Sequence, residues 1–207
     1  MTIQQMLLSG GSLPPAYVGV NYNARTTAGT TLSITTPSNT QIGDLLLFFG
    51  SSAGGGSHTW SSSNSVTEVQ DSNALPNLYF GYRAAAAAGS APFNFSTSTS
   101  SFSQIVVVAY RYASYKTYSY ATSLNQQTTN LSLSPTQANS TLVGHAVADQ
   151  SNVTWSVNNS ASIIQSVNNS KPVIVTFKKD LVSTSQTFTV GTNFNTFQGV
   201  LVAIGPA

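Results

Sequence analysis

The stretch "QIVVVAY" (residues 104–110) gives the clearest indication of the fold. It has the length of one strand, and its four consecutive β-branched residues favour extended backbone. Nine other runs of strand length are each bounded by Gly, Asn, Ser or Pro. Only "AAAAAGSAP" (84–92) has a helix-like composition, and it is too short to form a stable isolated helix. The sequence therefore predicts an all-β protein.

These strand-like runs occur twice in the same order. With a shift of 94 residues, 106–110 align with 200–204, and with a shift of 95, Trp60 aligns with Trp155. The run "DLLLFF" (44–49) aligns with "TLVGHA" at a shift of 97, which pairs Gly43-Asp44 with Ser140-Thr141. A repeat of this length indicates two similar halves with roughly seven strands each.

The repeat predicts an antiparallel, jelly-roll-like β-sandwich built from two halves. We favour one sandwich, because paired halves would bury each other's open strand edges. Two tandem immunoglobulin-like sandwiches are the alternative. The expected divisions are an N-terminal arm (1–15), a first half (16–112), a connector (113–127) and a second half (128–207).

Composition narrows the classes of function. Charged residues make up only 6% of the chain, whereas Ser and Thr supply 57 of its 207 residues. A surface of hydroxyls and amides gives little electrostatic repulsion, which suits a protein held in an assembly. No three Lys or Arg residues are adjacent, so nucleic acid is not an expected partner. The start of the chain resembles neither a secretory signal nor a membrane span, so no membrane insertion is expected.

One motif points to hydrolysis. "GSSAG" (50–54) matches the G-x-S-x-G nucleophile motif, with Ser52 as the nucleophile and His58 as a nearby base. That motif requires a helix after the turn, but "GGSHTW" (55–60) follows instead. The chain has no cysteine and one glutamate, and its second histidine, His145, does not align with His58. We therefore expect no enzyme, no metal site and no cofactor.

The run "AYRYASYKTYSY" (109–120) contains five tyrosines. Alternation places Tyr110 with Tyr112, and Tyr118 with Tyr120, on one face of an extended chain. The rings either seal the contact between the two halves or form an exposed surface for a sugar or a neighbouring subunit. The candidate surface residues are Tyr112, Tyr115, Tyr118 and Tyr120. The aligned tryptophans Trp60 and Trp155 are either core residues or a symmetric pair that stacks on sugars.

The N-terminal arm carries the candidate docking residues Ile3, Met6, Leu7 and Leu8. Gly10-Gly11 and Pro14-Pro15 separate this apolar patch from the first strand and form a hinge and a stiff spacer. The arm either docks on a partner or folds back on the sandwich.

Several motifs in the order of the chain resemble those of duplicated β-sandwich structural proteins of tailed bacteriophages, which also occur on bacterial surfaces. The motifs are "PSNTQIGDLLL" (37–47), Trp60, "YFGYRAA" (79–85), "FNF" (93–95), "IVVVAY" (105–110), the closing "FQGVLVAIGPA" (197–207) and the opening "MTIQQMLLSGG" (1–11). The second copy departs from the pattern at Ser140-Thr141. The family pattern has no catalytic residues, so the resemblance implies none here.

The resemblance implies a non-enzymatic structural protein of the virion, made in the host cytoplasm. We expect a capsid decoration or cement protein, and the alternative is a tail or fibre component that binds carbohydrate on the host. The expected partners are other virion proteins and further copies of this chain, and a host surface glycan is a candidate ligand.

Overall fold

The structure, a computed structural model, describes residues 12–54, 57–60, 66–71, 76–124, 126–168, 171–193 and 196–207. The four candidate docking residues of the arm, Ile3, Met6, Leu7 and Leu8, lie outside the described residues.

The described part of the chain forms sixteen β-strands and no helix, which confirms the all-β prediction. The segment 84–92, whose composition is helix-like, ends one strand and crosses by a bend to the next. The strands are β1 (Ala16–Ala24), β2 (Gly29–Thr35), β3 (Leu45–Ser52), β4 (His58–Trp60), β5 (Thr67–Asp71), β6 (Asn77–Ala84), β7 (Pro92–Ser101), β8 (Ser103–Arg111), β9 (Ala113–Leu124), β10 (Thr128–Leu133), β11 (Ser140–Ala148), β12 (Trp155–Val157), β13 (Ser162–Val167), β14 (Val173–Val182), β15 (Gln186–Thr192) and β16 (Thr196–Pro206).

These strands form four antiparallel sheets with one topology used twice. The first eight strands make sheets of order β1-β8-β3-β6-β5 and β2-β7-β4. Adding eight to each number gives the other two sheets, β9-β16-β11-β14-β13 and β10-β15-β12. A jelly roll pairs strands 1-8-3-6 in one sheet and 2-7-4-5 in the other. We call strands β1 to β8 the first unit and strands β9 to β16 the second unit. Each unit therefore has jelly-roll order, except that its fifth strand pairs in the larger sheet.

The four sheets stack through three hydrophobic cores. The central core lies between the two five-stranded sheets and takes Val106, Val108 and Tyr110 from the first unit and Val200 and Val202 from the second. Each outer core lies between the five-stranded and three-stranded sheets of one unit. The five-stranded sheets are therefore buried on both faces, which explains why "QIVVVAY" is apolar at consecutive positions rather than alternate ones.

The two units meet through an approximately symmetric interface. Phe49 and His145 occupy equivalent positions, opposite Val106 and Val200, and their rings stack on each other with centroids 4.9 Å apart. Two further contacts join equivalent positions of the units reciprocally, as in a two-fold dimer. Tyr82 of β6 stacks on Tyr115 of β9, and Lys178 of β14 lies over the ring of Tyr17 in β1.

The antiparallel β-sandwich is thus confirmed. Each unit has two sheets of its own, so the units form a stack of four sheets rather than the single sandwich that we favoured, and they meet by their faces rather than by their edges. The predicted connector (113–127) also differs, because 113–124 form β9, which pairs with the full length of β16. β9 is an edge strand with polar and aromatic residues in alternation, so it lacks the continuous apolar run that identified the inner strands. A common origin of the two halves stays a prediction, although their strand order is the same.

The turns before β3 and β11 show that the alignment of the two halves at this point is wrong by one residue. Gly43 (φ 89°) precedes β3 and Asn139 (φ 59°) precedes β11, and both adopt the left-handed backbone conformation. Asp44 therefore corresponds to Ser140, not to Thr141. Gly and Asn are the residues that tolerate this conformation best, so Gly43 and Asn139 allow the same turn although they are different residues.

Candidate functional site: a groove at one end of the first unit

An open groove of about 690 Å³ lies at the end of the first unit where β3 begins and β8 ends. We call it the end groove, and it is lined by residues 16–18, 38–41, 88–89, 111 and 112. Its volume falls within the usual range for small-ligand sites. Polar and aromatic side chains line the end groove together, so we take it as the candidate site.

One wall of the end groove is a loop held by many backbone hydrogen bonds. Thr40 N donates to Pro37 O over 3.0 Å, and Gly89 N donates to Thr40 O over 2.8 Å. Next to it, Gly43 N donates to Ala85 O over 2.9 Å. These hydrogen bonds hold the backbone of the loop, and a fixed loop reduces the entropy lost on binding.

A charged pair beneath the groove joins this loop to β8. Arg111 donates from Nε to Asp44 Oδ1 over 3.0 Å and from Nη2 to Oδ2 over 3.1 Å. Nη2 also donates to the backbone carbonyl of Asn39, and the Gln41 N–H donates to Asp44 Oδ2 over 2.7 Å. The hydrogen bonds to Asp44 raise the pKa of Arg111. This two-bond geometry orients the guanidinium plane.

Tyr112 stands at the rim of the end groove in an unusual backbone conformation. Its φ is 56°, a region that bulky residues rarely adopt, and 49% of its surface is exposed. The second tyrosine of the groove, Tyr17, is 39% exposed and has an edge-to-face contact with Tyr110 at 5.7 Å. Two partly exposed aromatic rings therefore border one polar groove.

Three exposed polar side chains line the same groove. Ser38, Asn39 and Gln41 are exposed, and their side chains form no hydrogen bond with any residue that the structure describes. The Nη1 group of Arg111 likewise has no hydrogen-bond partner among the described residues. The end groove thus offers hydroxyl, amide and guanidinium groups to a ligand.

The equivalent end of the second unit lacks this chemistry. Register through β8 and β16 places Gly205 and Pro206 where the first unit has Arg111 and Tyr112. Ser140 replaces Asp44, and its hydroxyl donates to the backbone carbonyl of Gln137 over 2.7 Å. The jelly-roll frame therefore folds without the charged pair or the tyrosine.

The four candidate surface tyrosines of the run 109–120 do not share one role. Some pack at the contact between the units, and one is exposed at the end groove. Tyr115 and Tyr118 are half-buried against the central core, where their ring centroids lie 6.1 and 6.4 Å from that of Phe80. Burial raises the pKa of the Tyr115 phenol. Tyr120 is half-buried in β9, and its hydroxyl accepts a hydrogen bond from Thr122 Oγ1 over 2.8 Å. Of these four tyrosines, only Tyr112 lines the end groove.

Alternation mispredicted one pair in this run. Tyr110 is fully buried in the central core, whereas Tyr112 is half-exposed in the groove. The left-handed backbone at Tyr112 ends β8 and reverses the side-chain direction before β9 begins. The pair Tyr110 and Tyr112 therefore does not share a face.

The hydrolase motif does not form a nucleophile elbow. Ser52 is the last residue of β3, it is buried, and its hydroxyl donates to the Gly54 carbonyl over 3.0 Å. His58 is buried against the ring of Tyr79, and burial lowers its pKa to about 3. The strand, turn and helix that expose the serine in that motif are not found here, since the described residues contain no helix.

A different serine and histidine do meet, in the central core. Ser51 Oγ lies 3.2 Å from His145 Nε2, and His145 Nδ1 lies 2.9 Å from Thr176 Oγ1. Burial lowers the pKa of His145 to about 3, so at neutral pH the ring has one N–H donor and one acceptor for these two hydroxyls. All three side chains are fully buried, so this chain of hydrogen bonds joins the two units rather than facing a substrate.

The remaining sequence candidates are also placed by the fold. Trp155 is buried in the second outer core and packs edge-to-face on Phe197 at 5.9 Å, which fits the core interpretation. Trp60 lies in β4 opposite Phe95. Within the described ranges, no three or more His, Cys, Asp or Glu side chains cluster closely enough to hold a metal ion. No helix in the described part of the chain could span a membrane.

No family model, curated protein or solved structure matches this chain. The functional assignment therefore depends on the residues and their geometry.

Sequence reasoning missed most of the end groove. Tyr17, Arg111 and Asp44 were not candidate site residues, and Asn39 and Gln41 appeared only within the motif "PSNTQIGDLLL" (37–47). One signal was available in the sequence, because Arg111 is the single arginine within the tyrosine run. Its partner, the buried Asp44, lies 67 residues away in the sequence.

Proposed function

We propose that this chain is a non-enzymatic structural protein of a bacteriophage virion, with capsid decoration as its leading role. The observation that carries the proposal is the double burial of both five-stranded sheets in one stack of three cores. Among the described residues, one continuous hydrophobic core joins the two units, and this supports a static role. The resemblance of its motifs to phage structural proteins supports a virion as the assembly.

The use of charge supports the same role. Most of the described acidic groups are joined to a neighbouring cation, as in the Arg111–Asp44, Lys171–Asp149 and Lys178–Asp180 pairs. The exposed surface is left to hydroxyls and amides. Proteins packed side by side on a shell tolerate this surface, because they do not depend on charge repulsion for solubility.

The first experiment is quantitative mass spectrometry of purified particles of the phage that encodes the chain, normalised to the major capsid protein. A near-stoichiometric ratio is expected for a decoration protein. A few to a few dozen copies would instead favour the tail or fibre alternative. Absence from washed particles would overturn the virion proposal.

The docking role of the arm can be tested separately. A deletion of residues 1–12 removes the apolar patch and stops before β1, so the described sandwich should still fold. We expect this variant to melt as wild type does but not to bind particles that lack the protein. A matched full-length variant with Ile3, Met6, Leu7 and Leu8 changed to Ser keeps the length of the arm and should also fail to bind. Normal binding by both variants would exclude the arm as the docking element.

A further inference from the structure

The end groove has the chemistry of a carbohydrate site, and we propose that it binds an uncharged pyranose sugar. The inference goes beyond the structural role, because it concerns the isolated protein and holds on a capsid or on a tail. Its evidence is the geometry of Tyr112, Arg111 and the loop 38–41.

Tyr112 is the stacking residue of the proposed site. A pyranose ring has one face of C–H groups, which packs on an aromatic ring, while its hydroxyl groups point outward to polar partners. Tyr112 exposes half of its surface at a φ of 56°, where Asn or Gly would cost less backbone strain. A bulky ring held there against its backbone preference points to a role in binding rather than in folding.

The hydroxyl groups of a sugar need several donors and acceptors at fixed positions. Ser38, Asn39 and Gln41 present exposed side chains on the hydrogen-bonded loop, and the Arg111 guanidinium is fixed by Asp44. Amide groups both donate and accept, as a sugar hydroxyl does. A fixed set of such groups lowers the entropy cost of binding.

Charge balance selects a neutral ligand. Among the described residues that line the groove, Arg111 alone is charged, and its charge is offset by the buried carboxylate of Asp44. A site for an acidic sugar or a phosphate would be expected to hold a cation without such a counter-charge. Binding of a neutral pyranose should therefore change little with salt.

The second unit provides an internal comparison. Its equivalent end has Gly205 and Pro206 in place of Arg111 and Tyr112, and Ser140 in place of Asp44. The strand order is the same, so this order can form without the three residues. Arg111 and Tyr112 line the end groove, and Asp44 holds the guanidinium of Arg111.

The test uses saturation-transfer NMR with four neutral sugars, D-glucose, D-galactose, N-acetyl-D-glucosamine and L-rhamnose, together with an array of bacterial surface glycans. We expect binding of at least one neutral pyranose, unchanged between low and high salt. Tyr112→Asn removes the ring and keeps a residue that tolerates positive φ, so it should lower affinity about tenfold or more. Gln41→Ala should lower it by a smaller factor.

The matched control is Leu181→Asn. Leu181 is also an exposed large hydrophobic residue with positive φ (55°), but it does not line the end groove. This variant should bind as wild type does, and all three variants should keep the wild-type circular dichroism spectrum.

Three results would overturn the proposal. These are the absence of binding to every sugar and arrayed glycan, binding that Tyr112→Asn leaves unchanged, and binding restricted to acidic glycans with a steep loss in salt. None of them depends on whether the chain occurs in particles, so the sugar proposal and the virion proposal can fail independently. If Tyr112→Asn abolished attachment to particles while no glycan bound, the groove would be a protein contact.

Discussion

The two units share one strand order, yet they differ in how they fill equivalent positions and in what they carry at one end. In the first unit Phe48 lies opposite Gly81, and in the second unit Gly144 lies opposite Phe177 at the equivalent places. The large and small residues have exchanged strands while the pair has kept its total volume. Packing differences of this kind compensate each other, as the volume of a core requires.

The end groove follows a different pattern. Among its described residues, the second unit has none that compensate for the loss of Asp44, Arg111 and Tyr112. Its equivalent residues are Ser140, Gly205 and Pro206. The comparison teaches that compensated differences belong to folding, whereas an uncompensated group of polar and aromatic residues needs another explanation. The four predictions below test this distinction, beginning with the largest expected effect.

The exchange of Phe and Gly gives the largest expected effect. Gly144→Phe should abolish folding, because even an added Cβ at Gly144 would overlap the ring of Phe177. Phe177→Gly alone should lower the free energy of unfolding by about 4 kcal/mol, the typical loss for removing a buried Phe ring. The double variant recreates the arrangement of the first unit, so it should be more stable than either single variant, with a coupling energy of about 3 kcal/mol.

Chemical denaturation of the four proteins, with soluble yield as a second readout, measures this coupling. A double variant as unstable as Gly144→Phe would show that the two units do not have interchangeable packing. The compensation argument would then fail.

Some parts of the fold could be predicted from the sequence, and other parts could not. The inner strands of the five-stranded sheets are apolar at consecutive positions, so their existence and their repeat were visible. The edge strand β9 was not, because its exposed edge and half-buried face mix tyrosines with polar residues. The site was hidden for another reason, since Arg111 and Asp44 meet only after β3 and β8 pair.

The contacts between the units give the second prediction. Tyr115 stacks on Tyr82 with ring centroids 4.2 Å apart, while at the equivalent place Tyr17 meets the Lys178 ammonium group 5.2 Å from its ring centroid. Tyr115→Ala should lower the free energy of unfolding by about 2–3 kcal/mol, since it removes a half-buried ring and a stacked pair. Tyr17→Ala should cost less, about 1–2 kcal/mol, because its partner is partly solvated.

Denaturant titration of both variants tests this order. Equal losses would mean that the chemical difference between the two contacts has no energetic consequence. Loss of glycan binding in Tyr115→Ala, with wild-type stability, would return Tyr115 to the list of surface residues.

The third prediction concerns acid. The pKa of His145 is lowered by burial from 6.5 to about 3, so the unfolded chain binds a proton that the folded chain resists. Stability is then fully present above pH 6.5 and falls as the pH drops from 6.5 towards 3. Between pH 7 and pH 5 this one group should remove about 2 kcal/mol from the free energy of unfolding.

Phe49, the equivalent residue in the first unit, suggests the control. His145→Phe removes the titrating group, so it should flatten the pH dependence even if the variant is less stable at pH 7. His58, whose pKa is also lowered to about 3, should keep part of the slope in the variant. The measurement is the free energy of unfolding at several pH values between 5 and 7, and an unchanged slope in His145→Phe would exclude His145 as its source.

The smallest effect is expected at Tyr112, and its sign is the informative quantity. A residue kept for packing destabilises the fold when it is replaced, whereas a residue kept for binding against a backbone preference does the opposite. Tyr112 has a φ of 56° and is half-exposed, while its backbone carbonyl accepts a hydrogen bond from Ala207 N that any residue would retain. Tyr112→Asn should therefore raise the free energy of unfolding by about 0.5 kcal/mol, because Asn tolerates this conformation better. Differential scanning calorimetry can resolve a shift of this size when the variant and the wild type are measured side by side. A loss of 1 kcal/mol or more would show that the Tyr112 ring stabilises the end of the first unit, and the uncompensated group at the end groove would then belong to folding after all.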